Sequence, residues 1–254
     1  MEEIQISAVV ITFNEEKRIE PCLRSLISVA DEIVVVDSYS TDQTKRICED
    51  FGVRFIEHPF LGYIEQKNFA AQQAKYNYIL SLDADEVLSE SLQHSIAGVK
   101  KKWKGQGYTF KRLNKIADKW IHFGNWVPDI KLRLWKKDTG TWGGINPHDR
   151  FEFYHSKPKP ILLNGHLLHY SYESVSAFKR KNREFAEIAA KAMFQKGVRV
   201  KWWKRYGSGL LRWFKGYILK LGFLDGRMGW IIAYGSMKEV NWKYKFLAEK
   251  WKTL

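Results

Sequence analysis

The chain has 254 residues, of which 45% are hydrophobic and 28% charged. That is enough for a sizeable core and excludes disorder as a global description. Its 2 cysteines exclude a disulfide framework and fit a reducing compartment. The formal charge of +14 is unevenly held: residues 1–100 carry 9 basic and 17 acidic residues, 101–195 carry 19 and 8, and 196–254 carry 14 and 3 with six of the 11 tryptophans. A basic, Trp-rich end on an acidic first half points to nucleic acid or to an anionic membrane surface.

The first residues, Met-Glu-Glu-Ile-Gln, lack the basic and apolar segments of a secretory signal. No apolar run reaches the ~18 residues of a membrane span. The closest, Leu210 to Leu224, is interrupted by Arg212, Lys215 and Lys220. The expectation is a cytosolic protein, or one on the cytosolic face of a membrane.

In chain order, Ile4–Phe13 is a dense apolar run, as in a strand buried on both faces. After Asn14 a helix follows, with Ile19, Leu23, Leu26 and Ile27 on one face. Glu32–Asp37 is a second buried strand, and Ser40-Thr41-Asp42 offers N-cap chemistry for a helix from Gln43 to Phe51. Val53–Glu57 is a third strand and 64–75 a helix. Tyr78–Leu82 is a fourth strand, running into Asp83-Ala84-Asp85-Glu86, and Ser89 caps the next helix. This β-α-β-α-β-α-β alternation predicts an α/β fold with a Rossmann-like, mostly parallel sheet and right-handed crossovers.

Farther on, Tyr108–Lys115, Ile130–Trp135 and Ile161–Tyr170 read as strands, and the stretch from Trp142 to Asp149 as a turn-rich loop. Residues 174–196 predict a long helix with Val175, Phe178, Phe185, Ile188, Ala189 and Ala192 inward. Arg205–Phe223 and Gly226–Lys250 predict two more. The reading divides the chain into a catalytic domain, 1–195, and a helical, basic C-terminal region, 196–254.

Ligands of parallel sheets bind at the carboxyl ends of the strands. Here those ends carry Thr12 and Asn14, Asp37, and Asp83 with Asp85. Two carboxylates one residue apart past a strand suit Mg²⁺ or Mn²⁺ bridging a diphosphate. An isolated Asp-x-Asp more often reads as a turn or capping cluster; its place at the end of the fourth strand favours the metal. Asp37 fits an acceptor for base or ribose, or an Asx turn opening the loop. No Gly-x-Gly-x-x-Gly follows the first strand, and no P-loop pattern is present.

Three segments, Val9-Val10-Ile11-Thr12-Phe13-Asn14-Glu15-Glu16, Val34 to Asp42 (Val-Val-Val-Asp-Ser-Tyr-Ser-Thr-Asp) and Leu82-Asp83-Ala84-Asp85-Glu86, resemble the signatures of inverting family 2 glycosyltransferases of the GT-A fold. Trp126 to Trp135, Trp142-Gly143-Gly144, His148-Asp149, Leu168 to Tyr172 and Phe223 to Gly226 are similar to the lipopolysaccharide core β-1,4-glucosyltransferase (WaaE/KdtX-like) branch. The resemblance covers nearly the whole chain. It implies a UDP-sugar donor and a divalent metal, Mg²⁺ or Mn²⁺. Thr12, Asn14 and Glu15 then line the nucleotide pocket, Asp37 contacts uracil or ribose, and Lys67 faces the nucleotide. Asp83 and Asp85 form the metal motif, with Asp85 the direct ligand. The family commonly has Val-His-Glu where this chain reads Pro147-His148-Asp149, one methylene shorter.

Inversion, as the resemblance implies it, is one displacement needing a general base opposite the departing UDP. Asp149 is the first candidate and Asp129 the second, which also reads as a cap or salt-bridge partner. His169 is a further metal ligand by the same resemblance, or a structural histidine. Arg133 fits a donor diphosphate or acceptor phosphate, or a salt bridge. Trp126 and Trp142 suit stacking on sugars, or the core.

At 100° per residue, Leu210, Trp213, Phe214, Tyr217, Ile218 and Leu221 share one face of a C-terminal helix, with Ser208, Arg212, Lys215 and Lys220 on the other. Trp202-Trp203 lies between Lys201 and Lys204. This is the profile of an interfacial helix on an anionic membrane, although such a face also packs on a domain. No motif supports nucleic acid. The leading expectation is a peripheral, metal-dependent hexosyltransferase on the cytosolic face of the inner membrane. It moves a hexose, glucose first, from a UDP-sugar to a lipopolysaccharide-core or other lipid-linked acceptor. The alternatives are a nucleotidyltransferase of similar architecture and a non-enzymatic basic adaptor for membrane or nucleic acid.

Overall fold

A computed structural model describes residues 3–252 apart from 147, 156–158 and 201. Pro147, Lys201 and the side chains of Ile145, His148, Trp202 and Arg205 lie outside that description. The strands are β1 (Ile6–Thr12), β2 (Glu32–Asp37), β3 (Arg54–Glu57), β4 (Tyr78–Asp83), β5 (Glu86–Leu88), β6 (Gly107–Ile116), β7 (Lys119–Ile121), β8 (Ile130–Lys136), β9 (Gly140–Ile145), β10 (His148–Phe153) and β11 (Ile161–Tyr172). The helices are α1 (Ile19–Leu26), α2 (Thr44–Asp50), α3 (Tyr63–Gln73), α4 (Glu90–Lys101), α5 (Val175–Gln195), α6 (Trp202–Phe214) and α7 (Gly226–Lys252). The chain forms two compact units: residues up to Arg112 with Asp129–His169, and Leu113–Pro128 with Tyr170 onward.

The first unit is the expected α/β fold. Its main sheet runs β3-β2-β1-β4-β8-β6-β11-β5. β1 pairs in parallel with β2 and β4, and β2 with β3; β8 joins β4 antiparallel. Side chains of a strand alternate between its two faces, and β1 buries both. Ile6, Ala8 and Val10 join Leu23, Leu26, Leu92 and Ile96 on one side. Val9 joins Val34, Val36, Ala70 and Trp135 on the other. Burying an aliphatic side chain of this size stabilises by roughly 1.5–3 kcal/mol. α4 begins where the Leu92 amide donates to Ser89 Oγ at 3.3 Å, and it ends on Lys100 and Lys101, which suit its negative end.

Three local expectations are corrected. On α1, Ile27 lies past the end of the helix and is 60% exposed, and Cys22 takes the inward place between Ile19 and Leu23. The stretch from Trp142 to Asp149 is no simple loop. It forms most of the antiparallel β9–β10 hairpin, with Gly144 opposite Asp149 and Trp142 opposite Phe151. Its glycines hid the strand period, while Trp142 and Phe151 join the core over Trp135. On α5, the buried positions are Phe178, Asn182, Ala186 and Ala190, a strict i+4 row. Ile188 and Ala192 are exposed.

In the second unit, β7 pairs with the last residues of β6, and Ile116, Ile121, Phe178 and Ile232 form the core. α5 packs on α7 where Gly235 gives room: a Cβ there would stand 2.5 Å from the Phe178 ring. The helix expected over Arg205–Phe223 is broken. α6 stops at Phe214, a π-helical turn spans Lys215–Leu219, Leu221 is left-handed (φ 56°), and a 3-10 turn spans Gly222–Asp225. Buried Asp225 fixes this bend, accepting from the His122 and Phe123 amides. The expected apolar face is divided by it. Trp213 and Tyr217 pack against Trp230 at 5.5 and 5.3 Å, while Leu210, Phe214, Ile218 and Leu221 remain exposed. No helix among the described residues is long and apolar enough to cross a membrane.

Candidate active site

Register places the candidate groups at one edge of the sheet. Thr12 pairs with Asp37 across β1 and β2, and Ile11 pairs with Asp83 across β1 and β4. The first loop is cross-tied to the second. Asn14, in the left-handed region at φ 53°, accepts from the Thr41 amide (2.8 Å) and donates its own amide to Ser40 Oγ (2.7 Å). The Glu15 amide donates to Thr44 Oγ1 (2.9 Å), and its carboxylate pairs with Arg18 (3.1 Å). Asp37 is 1% exposed, and its carboxylate accepts from the Ser40 amide and hydroxyl. The Asx turn therefore forms here, at the strand end where a nucleoside acceptor was expected.

β4 ends on Asp83, Ala84-Asp85 turns, and β5 begins at Glu86. Around this turn lies a buried charge network. Lys67, on the first turns of α3 and 4% exposed, points its ammonium at Asp83 Oδ1 (3.1 Å) and Asp149 Oδ2 (2.9 Å). Arg133, from β8, reaches Asp83 (3.0 Å) and the fully buried Glu86 (2.5 Å). Arg112, from β6, links Glu86 (3.2 Å) to Asp129 (2.7 Å). Burial pushes the Asp83 carboxyl up, but Lys67 and Arg133 outweigh it and hold the group far below the usual carboxylate range. Burial lowers Arg133 and Arg112, but Glu86 and its acidic neighbours raise both above the ordinary guanidinium value.

Asp149 reaches this network because α3 grips the hairpin. Asn68 Nδ2 donates to the Trp142 carbonyl (2.9 Å), and Asn68 Oδ1 accepts from the Trp142 amide (2.9 Å) and from Thr141 Oγ1 (2.8 Å). Asn146 bonds Glu65 and the Ile64 amide. The Trp142 ring then lies 4.8 Å from Lys67 Nζ, a cation–π contact.

Asp85 and His169 are brought together: His169 Nε2 lies 3.2 Å from Asp85 Oδ2, where β11 pairs with β5. One carboxylate and one imidazole suit a divalent ion that completes its shell from phosphate oxygens and water. Asp83 faces the cations Lys67 and Arg133. Among the described residues no three ligating side chains converge into a ready-made metal cluster. Thr12 Oγ1, Arg133 Nε and Trp142 Nε1 are buried polar atoms without a hydrogen-bond partner at this rim. Such atoms are rare in a finished core.

Most of the residues singled out from the sequence thus meet at the carboxyl ends of β1, β2 and β4. Asp129 lies apart from Asp149, tied to Arg112 and Lys131. Trp126 belongs to a ring cluster with Tyr172 and Phe178. Glu86 and Arg112 were missed. The acidic run through Glu86 was visible, but only the pairing of β6 with β8 shows which cations it meets.

The glycosyl transferase family 2 model matches residues 7–153. A protein described as an uncharacterized glycosyltransferase of Rickettsia bellii is 31% identical over 240 residues, covering 89% of this chain and 80% of the relative. The lipopolysaccharide core biosynthesis glycosyltransferase LpsC of Rhizobium meliloti is 38% identical over 96 residues, 36% of this chain and 35% of that protein. The S. aureus TarS 1-349 crystal structure in complex with UDP aligns over 98% of this chain and 92% of that one, with 15% identity and a TM-score of 0.45. The family match and the fold together define a sugar-transferring enzyme with a GT-A-like α/β fold. The chain belongs to glycosyl transferase family 2.

Proposed function

We propose that this enzyme moves a hexose, glucose first, from a UDP-sugar to a lipopolysaccharide-core or other lipid-linked saccharide, with inversion at the transferred carbon. The observation that carries the reading is the meeting of Asp83, Lys67 and Asp149 at the carboxyl end of β4, with Asp85 on His169 in the turn that follows. The partial similarity to a protein named for lipopolysaccharide core biosynthesis supports the acceptor class.

In this reading the nucleotide lies over the ends of β1 and β2, beside Thr12, Asn14, Glu15 and Asp37. Arg133 and Lys67 supply positive charge near the diphosphate. Asp85 and His169 would hold the divalent ion, Mg²⁺ or Mn²⁺, with Asp83 as the other acid of the motif. When bound, that ion offsets charge gathering on the departing diphosphate. Asp149 takes the proton of the acceptor hydroxyl onto its carboxylate as that oxygen attacks, and Lys67 holds Asp149 in place. Asp129, tied to Arg112, is the second candidate base. The catalytic domain of this reading is residues 1–195, although 113–128 and 170–195 belong to the second compact unit, and the basic region 196–254 brings it to the cytosolic face of the inner membrane.

A screen of UDP-sugars, with and without lipopolysaccharide core and with Mg²⁺ or Mn²⁺, tests this by the product. UDP release that depends on acceptor and metal is expected. Free diphosphate as product would identify nucleotidyl transfer instead.

A further inference from the structure

α6 exposes one apolar stripe. Trp203, Tyr206, Leu210 and Phe214 are spaced 3, 4 and 4 residues apart and all lie open to solvent; at 100° per residue they fall within about 80° of one another. Leu211 borders the stripe and is 66% exposed. The bend after Phe214 exposes further apolar side chains, with Leu219 at 65% and Phe223 and Leu224 both open. Scattered exposed apolar residues are ordinary, but a run of this density marks a surface that meets something.

The charge around the ridge identifies what it meets. Residues 196–224 contain eight Lys and Arg and no Asp or Glu. On α6, Lys204 and Arg212 lie about 100° and 180° around from Trp203, outside the stripe, and both are exposed. A symmetric pair of copies joined through this ridge would bring two such cation sets together without a counter-charge. An anionic bilayer offers both halves of the match: acyl chains for the stripe and headgroup charge for the cations. The helix is not one that crosses a membrane, so it lies along the surface.

We infer that the exposed ridge of α6 and the following bend, from Trp203 to Leu224, inserts into the headgroup–acyl boundary of an anionic lipid bilayer. This deepens, and rests on, the peripheral-membrane part of the function proposed above. Trp213 and Tyr217 stay in the protein, packed on Trp230, and act as the rigid backing of the ridge.

Flotation of the full chain with phosphatidylcholine vesicles, with and without phosphatidylglycerol, tests it. The unaltered protein is expected to float with the anionic vesicles. The double variant Leu211→Gln/Leu219→Gln should bind about tenfold or more weakly at equal lipid, since two inserted side chains are lost. Phe223→Gln/Leu224→Gln repeats the test on the other segment, and both pairs are solvent-exposed already. UDP release with a soluble, lipid-free saccharide acceptor should be unchanged in both variants. An unaltered protein that stays out of the vesicle fraction overturns the ridge and the peripheral reading together. Flotation equal in all three proteins overturns the ridge alone. A ridge variant that loses self-association rather than flotation assigns the surface to a second copy and also overturns the inference.

Discussion

Lys67 Nζ donates to Asp149 Oδ2 at 2.9 Å across 82 residues of sequence, while standing 3.1 Å from Asp83 Oδ1. One buried ammonium therefore joins the end of β4 to the β9–β10 hairpin. Removing the charge with Lys67→Met leaves Asp149 without its cation and Asp83 with Arg133 alone. Breaking such a pair costs about 3–5 kcal/mol. Urea unfolding should show a loss on that scale, and Lys67→Arg should recover much of it. Equal stability of Lys67→Met and the parent would mean that the contact is not formed in solution.

Glu86 carries a heavier structural charge. It is fully buried and receives Arg133, Arg112 and the Asp83 amide. Glu86→Gln keeps the shape but leaves two buried guanidinium groups short of one counter-charge, and about 3–5 kcal/mol should again be lost. Chemical denaturation measures this. A variant as stable as the parent would show that Asp83 and Asp129 suffice for both arginines.

Asp85 is placed differently. Its side chain is 23% exposed, and His169 is its partner. Asp85→Ala should leave the melting transition nearly unchanged and abolish metal-stimulated UDP release, and His169→Ala should weaken the metal dependence. Full activity of Asp85→Ala in saturating chelator would remove the divalent ion from the account.

How much of this was legible beforehand differs between regions for physical reasons. β1, β2 and β4 are buried on both faces, so their apolar runs could be read directly, and Asp83 could be placed at a strand end. The period of α5 is legible, but apolarity does not decide its inner face: Asn182 and small Ala186 and Ala190 occupy the inner row, while Ile188 is exposed. The hairpin around Asp149 was unreadable, since its strands are held by Asn68 and Glu65 of α3. The strands of Arg112 and Arg133 could be read from their alternation, and Arg133 as a phosphate or salt-bridge residue, but that both meet Glu86 is set by tertiary pairing alone.

Both thiols are expected to be inert. Burial, with Asp37 and Glu49 adding to it, pushes the Cys48 thiol up to about 12, and burial with the Glu86, Asp85 and Asp83 charges raises Cys22 as well. Between the ordinary thiol value of about 8.5 and about 12, the folded chain keeps the Cys48 proton that the unfolded chain releases. Stability should therefore fall as pH rises through that window. Ellman titration should find no reactive thiol in the native protein and two after unfolding. Cys48→Ala should flatten the alkaline loss of stability, and an unchanged slope would place its cause elsewhere.

We assign the base for sugar transfer to Asp149, at the rim of the first unit. The direct measurement is transfer to acceptor by Asp149→Asn, made alongside UDP affinity on the same preparation. The account predicts UDP binding within about twofold of the parent and transfer slowed by about 10²–10⁴-fold, with Asp129→Asn much less affected in transfer. Transfer by Asp149→Asn at the parental rate, with Asp129→Asn inactive but still folded, would contradict it.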